Sequence, residues 1–215
     1  MYTTTSSTIA KAKINISNHL LQKAQLINSS YAKRSFDVLF SLFFLLFIFS
    51  WLYPLITVAI KLESVGLALF DQVRIGINGK TFKCFKFRTL KNNQVSTNQE
   101  SLTMGYNAPV TKVGAFLSDK NLDELPQFIN ELLGSMSIVG PRPHAIPLHN
   151  IYSEFIPNIN DRLLVKPGII GLTQIKGLRG DLEDKEQNKI NIQKRVDYDI
   201  EYITNWTFKT DLMIF

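Results

Sequence analysis

The sequence is poor in the residues that build disulfides and metal centres. It has one cysteine, Cys84, and three histidines among 215 residues. One cysteine cannot form an intramolecular disulfide, and no Cys/His cluster has the spacing of a zinc site. This excludes a disulfide-stabilised secreted fold and gives no indication of a structural metal, so we expect a reducing, cytosol-facing location.

Common catalytic signatures and acidic residues are also scarce. The chain has no Ser-His-Asp order, no Walker A loop and no dinucleotide-binding fingerprint. His19, His144 and His149 show no pairing with a nucleophile. Asp and Glu number 18 against 24 Lys and Arg, which gives a net charge of +6. Such a balance favours an anionic partner: a membrane surface, a phosphorylated substrate or a nucleic acid.

One long apolar run is present at residues 36–60. It is long enough to cross a hydrocarbon core, which needs about 20 residues of helix. A cleaved signal peptide does not fit, because the run is too long, begins well inside the chain and lacks a small-residue cleavage site. A buried core helix is disfavoured by the same length and by the lack of a polar stripe. The sequence therefore predicts a segment that enters the bilayer.

Whether this segment crosses or turns back is a separate question. Pro54 predicts a kink near residues 50–54, because it lacks an N–H and clashes with the preceding turn. Basic residues flank both ends, so both flanks are expected on the cytoplasmic side. Asp37 and Ser41 would lie at lower cost near an interface than at the bilayer centre. We predict a re-entrant, broken helix, with a straight crossing as the alternative.

The length of the chain suits one ordinary domain plus an anchor. We predict an α+β fold with three parts: residues 1–32, the membrane helix 33–61, and a cytoplasmic domain 62–215. In the first part, three lysines and apolar residues at roughly helical spacing fit a helix lying on an anionic membrane surface. The Thr/Ser-rich start fits a disordered tail equally well.

A β-hairpin is predicted around Asn78-Gly79, the dipeptide that most favours a tight turn. Lys86 and Arg88 would share one face of its second arm and could hold a diphosphate. A solvated strand face explains the same pattern. Residues 91–108 are polar and rich in turn formers, which predicts a loop or flap.

The most informative segment contains Asp123 and Glu124. Apolar residues at helical spacing and a glycine stop, Gly134, predict a short amphipathic helix. Pro126 places its start at Asp123 or Glu124. Both carboxylates would then lie at the helix N-terminus, where anions are stabilised and a phosphate can bind. Two acids that only cap the helix are the simpler interpretation.

Two further segments suggest phosphate contacts and close backbone packing. Arg142 lies between two prolines, which suits a guanidinium held ready for bidentate phosphate contact, with a structural ion pair as the alternative. Residues 166–177 carry three glycines and predict a loop that closely approaches another segment.

Several of these segments together resemble the bacterial sugar transferases, the small monotopic polyprenyl-phosphate phosphoglycosyl transferases, of the exopolysaccharide-initiating UDP-hexose type. The likeness runs in order through KRSFD, the apolar run with its proline, LFDQVRIGINGKTFKCFKFRTL, VTKVGAFL, LDELPQFINELLGSMSIVGPRP, RLLVKPGIIGLTQIKGLRG and RVDYDIEYITNW. It implies a re-entrant helix in the bacterial inner membrane, with the catalytic domain facing the cytoplasm. It also implies Mg²⁺ as cofactor.

The resemblance implies a two-step transfer of a sugar 1-phosphate from a UDP-sugar to polyprenyl (undecaprenyl) phosphate. Asp123 would attack the β-phosphate and release UMP, and Glu124 would share in magnesium binding or proton handling. Lys86, Arg88 and Arg142 would neutralise the diphosphate, and Gln174 and Lys166 would contact the nucleotide or sugar. A carboxylate nucleophile with magnesium and arginines fits exchange between two phosphates. UDP-sugar, carrier lipid and membrane lipids are the expected partners, and a homodimer is left open.

Some positions depart from the family pattern. Ala115 and Ser118 stand where basic residues are usual, and the usual basic tail is missing. These departures motivate an alternative function, a membrane-bound scaffold or regulator with weakened turnover. A nucleic-acid binder is disfavoured, because the cations surround an apolar anchor and no recognised binding motif is present.

Overall fold

The fold consists of helices around two small sheets. The structure is a computed structural model that describes residues 18–91, 109–178, 180 and 184–215. Its α-helices are α1 (18–29), α2 (Tyr31–Phe44), α3 (Ser50–Glu63), α4 (Lys112–Asp119), α5 (Gln127–Leu132), α6 (Ile146–Ser153), α7 (Leu172–Ile175), α8 (Lys185–Thr204) and α9 (Phe208–Ile214). Strands β1 (Leu69–Ile75) and β2 (Thr81–Phe87) pair antiparallel, and β3 (Ser137–Val139) and β4 (Gly168–Ile170) pair parallel. A mixed helix-and-sheet class is confirmed, while nearly all of the predicted loop 91–108 lies outside the described residues.

Helices α2 and α3 form one continuous apolar helix, joined by a π-helical turn at Leu45–Phe49. This helix, Tyr31–Glu63, has 33 residues with a mean hydropathy of 2.3. In the described part of the chain it is the one helix long and apolar enough to cross a membrane. The irregular turn lies just before the predicted kink, and Pro54 itself lies inside α3. A break at Pro54 therefore stays a prediction.

The long helix has two chemically different sides. Lys33, Asp37 and Ser41, spaced four residues apart, are buried against the rest of the protein, and Ser137 donates to Asp37 through a 2.6 Å hydrogen bond. Large exposed side chains populate the remaining surface: Leu39, Leu42, Phe43, Leu46, Phe47, Trp51, Leu55, Val58 and Leu62. The long helix thus buries these three polar groups against the protein and exposes a broad apolar surface, while Phe44, Phe49, Ile56 and Ile60 pack into the core.

Both ends of the long helix are bound to the same globular part. Near its start, Arg34 forms an ion pair with Glu131 of α5. At its end, the Glu63 carboxylate accepts hydrogen bonds from the backbone N–H groups of Lys112 and Val113, at 2.6 and 2.8 Å. These two N–H groups open helix α4, where an acidic partner is most favourable. The two ends are therefore fixed relative to one domain.

The described part of the N-terminal region is helical. In α1, Leu20, Ala24 and Ile27 are buried and belong to the main hydrophobic core. Leu20 and Ile27 are two of the apolar residues assigned by sequence to a membrane-surface helix, yet they pack against this chain. Residues 1–17 lie outside the described ranges.

The predicted hairpin is confirmed. Asn78 and Gly79 both have positive φ, at 55° and 75°, a region that non-glycine residues other than Asn and Asp rarely adopt. The turn leads into strands paired from Ile75↔Thr81 to Leu69↔Phe87. Cys84 and Phe87 of β2 are buried in the core, which fixes the strand beside helix α5.

Candidate active site

The Asp123 and Glu124 pair lies in a short 3-10 turn, Leu122–Glu124, ahead of α5. Asn121 precedes it in the left-handed conformation (φ 56°), and Pro126 is the N-cap of α5, which begins at Gln127. The predicted helix start at Asp123 or Glu124 is therefore wrong. Pro126 has no N–H to donate back into a preceding turn, so the regular helix starts only after it. The two acids are presented by a turn.

Two cations converge on Glu124. The Arg142 guanidinium donates from Nη1 to Oε2 at 2.8 Å and from Nη2 to Oε1. The Lys86 ammonium donates to Oε1 at 2.7 Å and lies 3.7 Å from Asp123 Oδ2. Strand β2, the acidic turn and the loop after β3 each contribute one part of this cluster. The structure thus brings together Lys86, Asp123, Glu124 and Arg142.

The two carboxylates have opposite electrostatic environments. Burial raises the pKa of Asp123, and the charge of Glu124 adds to the rise, while Lys86 opposes it. Burial also acts to raise the pKa of Glu124, but the hydrogen bonds and charges of Arg142 and Lys86 prevail and hold it well below its usual range. Glu124 is therefore a fixed anion, and Asp123 is the carboxylate less tightly held by cations.

A magnesium ion was predicted on Asp123 and Glu124, and the donor set fits it in part. Mg²⁺ is often bound by one or two carboxylates together with substrate phosphates and waters. Asp123 suits this, because Lys86 lies beyond hydrogen-bonding distance of its Oδ2. Both oxygens of Glu124 already accept from cations. Among the described residues no group of three or more His, Cys, Asp or Glu is placed to hold a metal.

The loop that carries Arg142 is held by its carbonyl oxygens. Pro141 and Pro143 have no N–H groups, so the loop is fixed through its acceptors. Four consecutive carbonyls accept from other segments: Pro141 from Gly168 N (2.9 Å), Arg142 from Arg162 Nη2 (2.7 Å), Pro143 from Arg74 Nη1 (2.6 Å) and His144 from Ile75 N (3.0 Å). The backbone of Arg142 is thus anchored on both sides.

No pattern in the sequence pointed to a role for Arg74, Arg162 or Asp199. Arg162 is buried and forms a 2.6 Å ion pair with Asp199 of α8. A signal was present in the two prolines beside Arg142, since a loop that lacks two of its N–H groups depends more on donors from other segments. Which arginines supply them follows only from the three-dimensional arrangement.

The predicted close approach of the glycine-rich loop is confirmed. A Cβ on Gly168 would lie 2.1 Å from the backbone nitrogen of Gly140, and a Cβ on Gly171 would lie 2.6 Å from the Gly140 carbonyl oxygen. Only residues without side chains allow strand β4 to pack this closely on the segment after β3. The Arg142 loop is therefore set directly against β4.

The other predicted site residues lie apart from the acidic pair. Arg88 donates to the carbonyls of Ser64 and Val65, at 2.6 and 2.7 Å, just after α3. Lys166 lines a cavity of about 190 Å³ together with Lys33 and Arg34 near the start of the long helix. Burial lowers the pKa of Lys166.

Gln174 is buried in α7 and donates from Nε2 to the Ile169 carbonyl at 3.3 Å. Its Oε1 atom has no hydrogen-bond partner among the described residues. Of the five predicted substrate-binding residues, Lys86 and Arg142 contact the acidic pair. Arg88, Lys166 and Gln174 contact other parts of the fold.

Comparison with known proteins gives a family match over most of the chain. The sequence profile of the family described as bacterial sugar transferase matches residues 28–215. An Escherichia coli K12 protein named UDP-glucose:undecaprenyl-phosphate glucose-1-phosphate transferase is 45% identical over 184 residues. That match covers 85% of this chain and 38% of the relative.

Two other relatives show how much of each protein is shared. A Caulobacter vibrioides protein with the same name is 41% identical over 167 residues, which cover 78% of this chain and 61% of the relative. The exopolysaccharide production protein PSS of Rhizobium leguminosarum is 37% identical over 185 residues, which cover 85% of this chain and 90% of the relative. The chain thus spans about two fifths of the Escherichia coli relative and nearly all of the Rhizobium one.

Proposed function

Because the chain belongs to the bacterial sugar transferase family, we propose that it transfers a hexose 1-phosphate from a UDP-sugar to undecaprenyl phosphate and releases UMP. The observation that carries this proposal is the placement of Asp123 and Glu124 against Lys86 and Arg142. Glucose is the first hexose to test, since two relatives carry UDP-glucose in their names.

Asp123 is the proposed nucleophile. Its carboxylate attacks the β-phosphorus of the UDP-sugar, the bond to the bridging oxygen breaks, and UMP leaves with that oxygen. An oxygen of undecaprenyl phosphate then attacks the same phosphorus and restores the free carboxylate. The covalent intermediate replaces one difficult exchange between two phosphates by two easier displacements, each with one entering and one leaving oxygen. The weaker hold of cations on Asp123 than on Glu124 supports this division of roles.

Glu124 orients the cations in this scheme. With both of its oxygens engaged and its pKa held low, it stays ionised and holds Arg142 and Lys86 in the cluster that contains Asp123. A group with such a low pKa is poorly suited to carry a proton near neutral pH, since efficient general acid–base catalysis needs a pKa close to the operating pH. The structure favours an electrostatic role over proton handling.

The charge balance of the cluster supports a need for magnesium. Two carboxylates already pair with Lys86 and Arg142 before any substrate arrives, so the charge of these two cations is largely compensated when a diphosphate approaches. When bound at Asp123 with the substrate phosphates, magnesium would neutralise charge that builds up on the phosphoryl oxygens. Lys86 and Arg142 would contribute to the same neutralisation from the protein side.

Release of UMP from UDP-glucose and UDP-galactose tests the proposal. The purified protein is assayed with undecaprenyl phosphate, and Asp123→Asn is compared with Asp119→Asn. Asp119 is exposed and pairs with its neighbour Lys120, which makes it a matched control. We expect Asp119→Asn to turn over normally and Asp123→Asn to release no UMP and form no covalent sugar-phosphate adduct. Unchanged release in Asp123→Asn would rule out the nucleophile.

We further propose that the long helix is re-entrant, so that both ends lie on the cytoplasmic face of the inner membrane. The contacts of Arg34 and Glu63 with one globular part, and the π-helical turn at Leu45–Phe49, support this topology. Single cysteines at the exposed positions Gln25 and Lys80 test it in intact cells, since the native Cys84 is buried. Labelling of the two positions from opposite sides of the membrane would establish a straight crossing instead.

The scaffold alternative makes a different prediction for the same assay. Ala115 and Ser118, which stand where the family usually has basic residues, are exposed on α4. Restoring cations with Ala115→Arg and Ser118→Arg should leave UMP release unchanged if these positions are dispensable. A protein that releases no UMP until the cations are restored would support the scaffold function.

A further inference from the structure

The Arg142 guanidinium is oriented by a loop that one buried ion pair holds in place. Arg162 and Asp199 are 4% and 1% exposed, and Arg162 Nη2 lies 2.6 Å from Asp199 Oδ2. The same nitrogen donates to the Arg142 carbonyl at 2.7 Å. Arg162 therefore links Asp199, in the C-terminal half of α8, to the backbone of Arg142, whose side chain enters the acidic cluster.

We propose that Arg162 and Asp199 are positioning residues for the transferase reaction: Asp199 fixes the Arg162 guanidinium, and Arg162 fixes the Arg142 backbone. This proposal rests on the proposed function, because the loop it describes serves that site. Neither residue contacts the acidic pair in the described structure, so both act through Arg142.

The energetics of burial favour this role over simple core packing. A buried guanidinium costs several kcal/mol of desolvation unless its donors find acceptors, and an apolar pair of similar volume often replaces such a pair without loss of stability. Here the two Nη atoms are directed to three acceptors: Asp199, the Arg142 carbonyl and the His144 ring. The Nε atom has no hydrogen-bond partner among the described residues. Two of these three acceptors belong to the loop that carries Arg142.

His144 completes the anchor as a neutral acceptor. Burial lowers the pKa of His144 well below its usual value, and the Arg162 charge adds to the effect. The uncharged ring nitrogen Nε2 can therefore accept from Arg162 Nη1. Through two contacts, Arg162 spans the loop from residue 142 to residue 144, across Pro143, which lacks an N–H.

A double-mutant cycle tests whether Arg162 acts through Arg142. Arg162→Lys keeps a charge beside Asp199, but one ammonium lacks the guanidinium's planar fork of donors and cannot reproduce its contacts. We expect kcat for UMP release to fall by about 10²-fold, the effect typical of a misplacement of about 1 Å. In an Arg142→Gln background the same substitution should cause no further loss. Losses that multiply in the double variant, or a wild-type kcat in Arg162→Lys, would overturn the proposal.

Two control variants separate positioning from a general loosening of the fold. Val196→Ala opens a cavity in the buried core beneath α8, one turn from Asp199. Lys189→Gln removes an exposed ion pair with Glu186 on the same helix. Assayed at temperatures where they remain folded, both controls should keep the wild-type kcat. Asp199→Asn should lower kcat as Arg162→Lys does. If Val196→Ala lowers kcat to the same extent, Arg162 and Asp199 have no specific role.

A readout that needs no turnover keeps the proposal separate from the proposed function. Glu124 faces Lys86, Arg142 and Asp123, with Arg74 and Cys84 nearby. Displacement of Arg142 should therefore change the chemical shift of the Glu124 carboxyl carbon at neutral pH, in the same direction as Arg142→Gln does, measured by side-chain carbon NMR. An unchanged Glu124 resonance in Arg162→Lys overturns the positioning proposal. A wild-type protein that releases no UMP overturns only the proposed function.

Discussion

The Arg142 guanidinium meets the Glu124 carboxylate in a two-point ion pair, with Nη1 donating to Oε2 at 2.8 Å and Nη2 to Oε1. Such a fork fixes the plane of the guanidinium as well as its position. Because Lys86 shares Oε1, one buried carboxylate orients both cations of the cluster. The charge of Glu124 is therefore central to the stability and the geometry of the site.

Glu124→Gln should change the acid stability of the protein. The pKa of Glu124 is lowered in the folded state, so its ion pairs stabilise the protein fully above the unfolded pKa of about 4.3 and are lost as pH falls toward the folded pKa. At neutral pH we expect Glu124→Gln to lower the free energy of unfolding by about 1–3 kcal/mol. The melting temperatures of the two proteins should converge as the pH falls from about 4.3 toward the folded pKa of Glu124.

Glu186→Gln is the matched control for this experiment. Glu186 is exposed and pairs with Lys189 at the surface, where an ion pair contributes about 0–1 kcal/mol. Its melting temperature should follow that of the wild type at every pH. A gap between Glu124→Gln and wild type that stays constant from neutral to acid pH would contradict the lowered pKa.

Lys86→Met should move the acid limb of the pH–rate profile to higher pH. Burial raises the pKa of Asp123, and the Lys86 charge opposes that rise. Removing Lys86 raises the pKa further, so a reaction that needs the ionised carboxylate loses rate at a higher pH. The measurement is the pH dependence of kcat for UMP release in Lys86→Met and in the wild type. The midpoints of the two acid limbs are compared after each profile is scaled to its own maximal rate.

A neighbouring lysine on the same strand gives the control. Lys83 is exposed and pairs with Asp71 across the hairpin at 2.8 Å. Lys83→Met should keep the wild-type midpoint. If Lys86→Met also keeps it, or moves it to lower pH, Asp123 is not the group that controls the limb.

Features that depend on local chemistry were predictable from the sequence. Asn78 and Gly79 favour a tight turn by their tolerance of positive φ, and both adopt it. The run Tyr31–Glu63 is identified as a membrane-helix candidate by length and hydropathy alone. The close approach of Gly168 follows from a glycine-rich pattern that leaves room for backbone contact.

Features that depend on distant partners were not predictable. Arg88 follows Lys86 by two residues and lies just past the end of β2, yet Arg88 binds the carbonyls after α3 while Lys86 binds Glu124. The pattern could not separate them, because each contact is decided by what another segment brings nearby. The start of α5 was misplaced because Asn121 adopts the left-handed conformation and Pro126 delays the helix. Buried partners such as Asp199 carried no local signal.

Arg88→Gln should affect stability more than substrate binding. Arg88 donates to the Ser64 and Val65 carbonyls, which fixes the chain as it leaves α3. We expect a loss of about 1–2 kcal/mol in unfolding free energy, with a nearly unchanged KM for the UDP-sugar. Arg142→Gln should raise KM and lower kcat. A large rise in KM in Arg88→Gln without loss of stability would restore the diphosphate-binding role.

Gly168→Ala should disrupt the support of the Arg142 loop. The new Cβ would lie 2.1 Å from the Gly140 nitrogen, and a backbone atom cannot move aside as a flexible side chain does. We expect the free energy of unfolding to fall by about 3 kcal/mol or more, which is the upper end of the range for overpacked cores. Gly177→Ala is the comparison: its φ is +74° but no atom lies within 4 Å, so strain alone should cost about 1–2 kcal/mol. Equal losses in the two variants would refute the close-packing explanation.

A buried ion pair ties α2 to α9. Lys33 Nζ lies 2.6 Å from Asp211 Oδ2 and donates to the Val139 carbonyl at 2.9 Å. Tyr202 and Trp206 also donate to Asp211, at 2.8 and 3.0 Å. Asp211→Asn keeps an acceptor for these donors but removes the ion-pair partner of Lys33, whose charge then interacts with the more distant Asp37. We expect the free energy of unfolding to fall by about 3–5 kcal/mol, the range for breaking a buried ion pair by removing one charge.

A second substitution should recover much of that loss. Lys33→Met combined with Asp211→Asn removes the stranded charge, and Met fills a similar volume with an apolar chain. Because a buried ion pair contributes little more than a well-packed apolar replacement, the double variant should be more stable than Asp211→Asn alone. Chemical denaturation of the two single variants and the double variant measures this coupling. Strictly additive losses would show that Lys33 and Asp211 do not act as a pair, and that the C-terminal segment is held to the long helix by other contacts, such as Phe215 on Phe40.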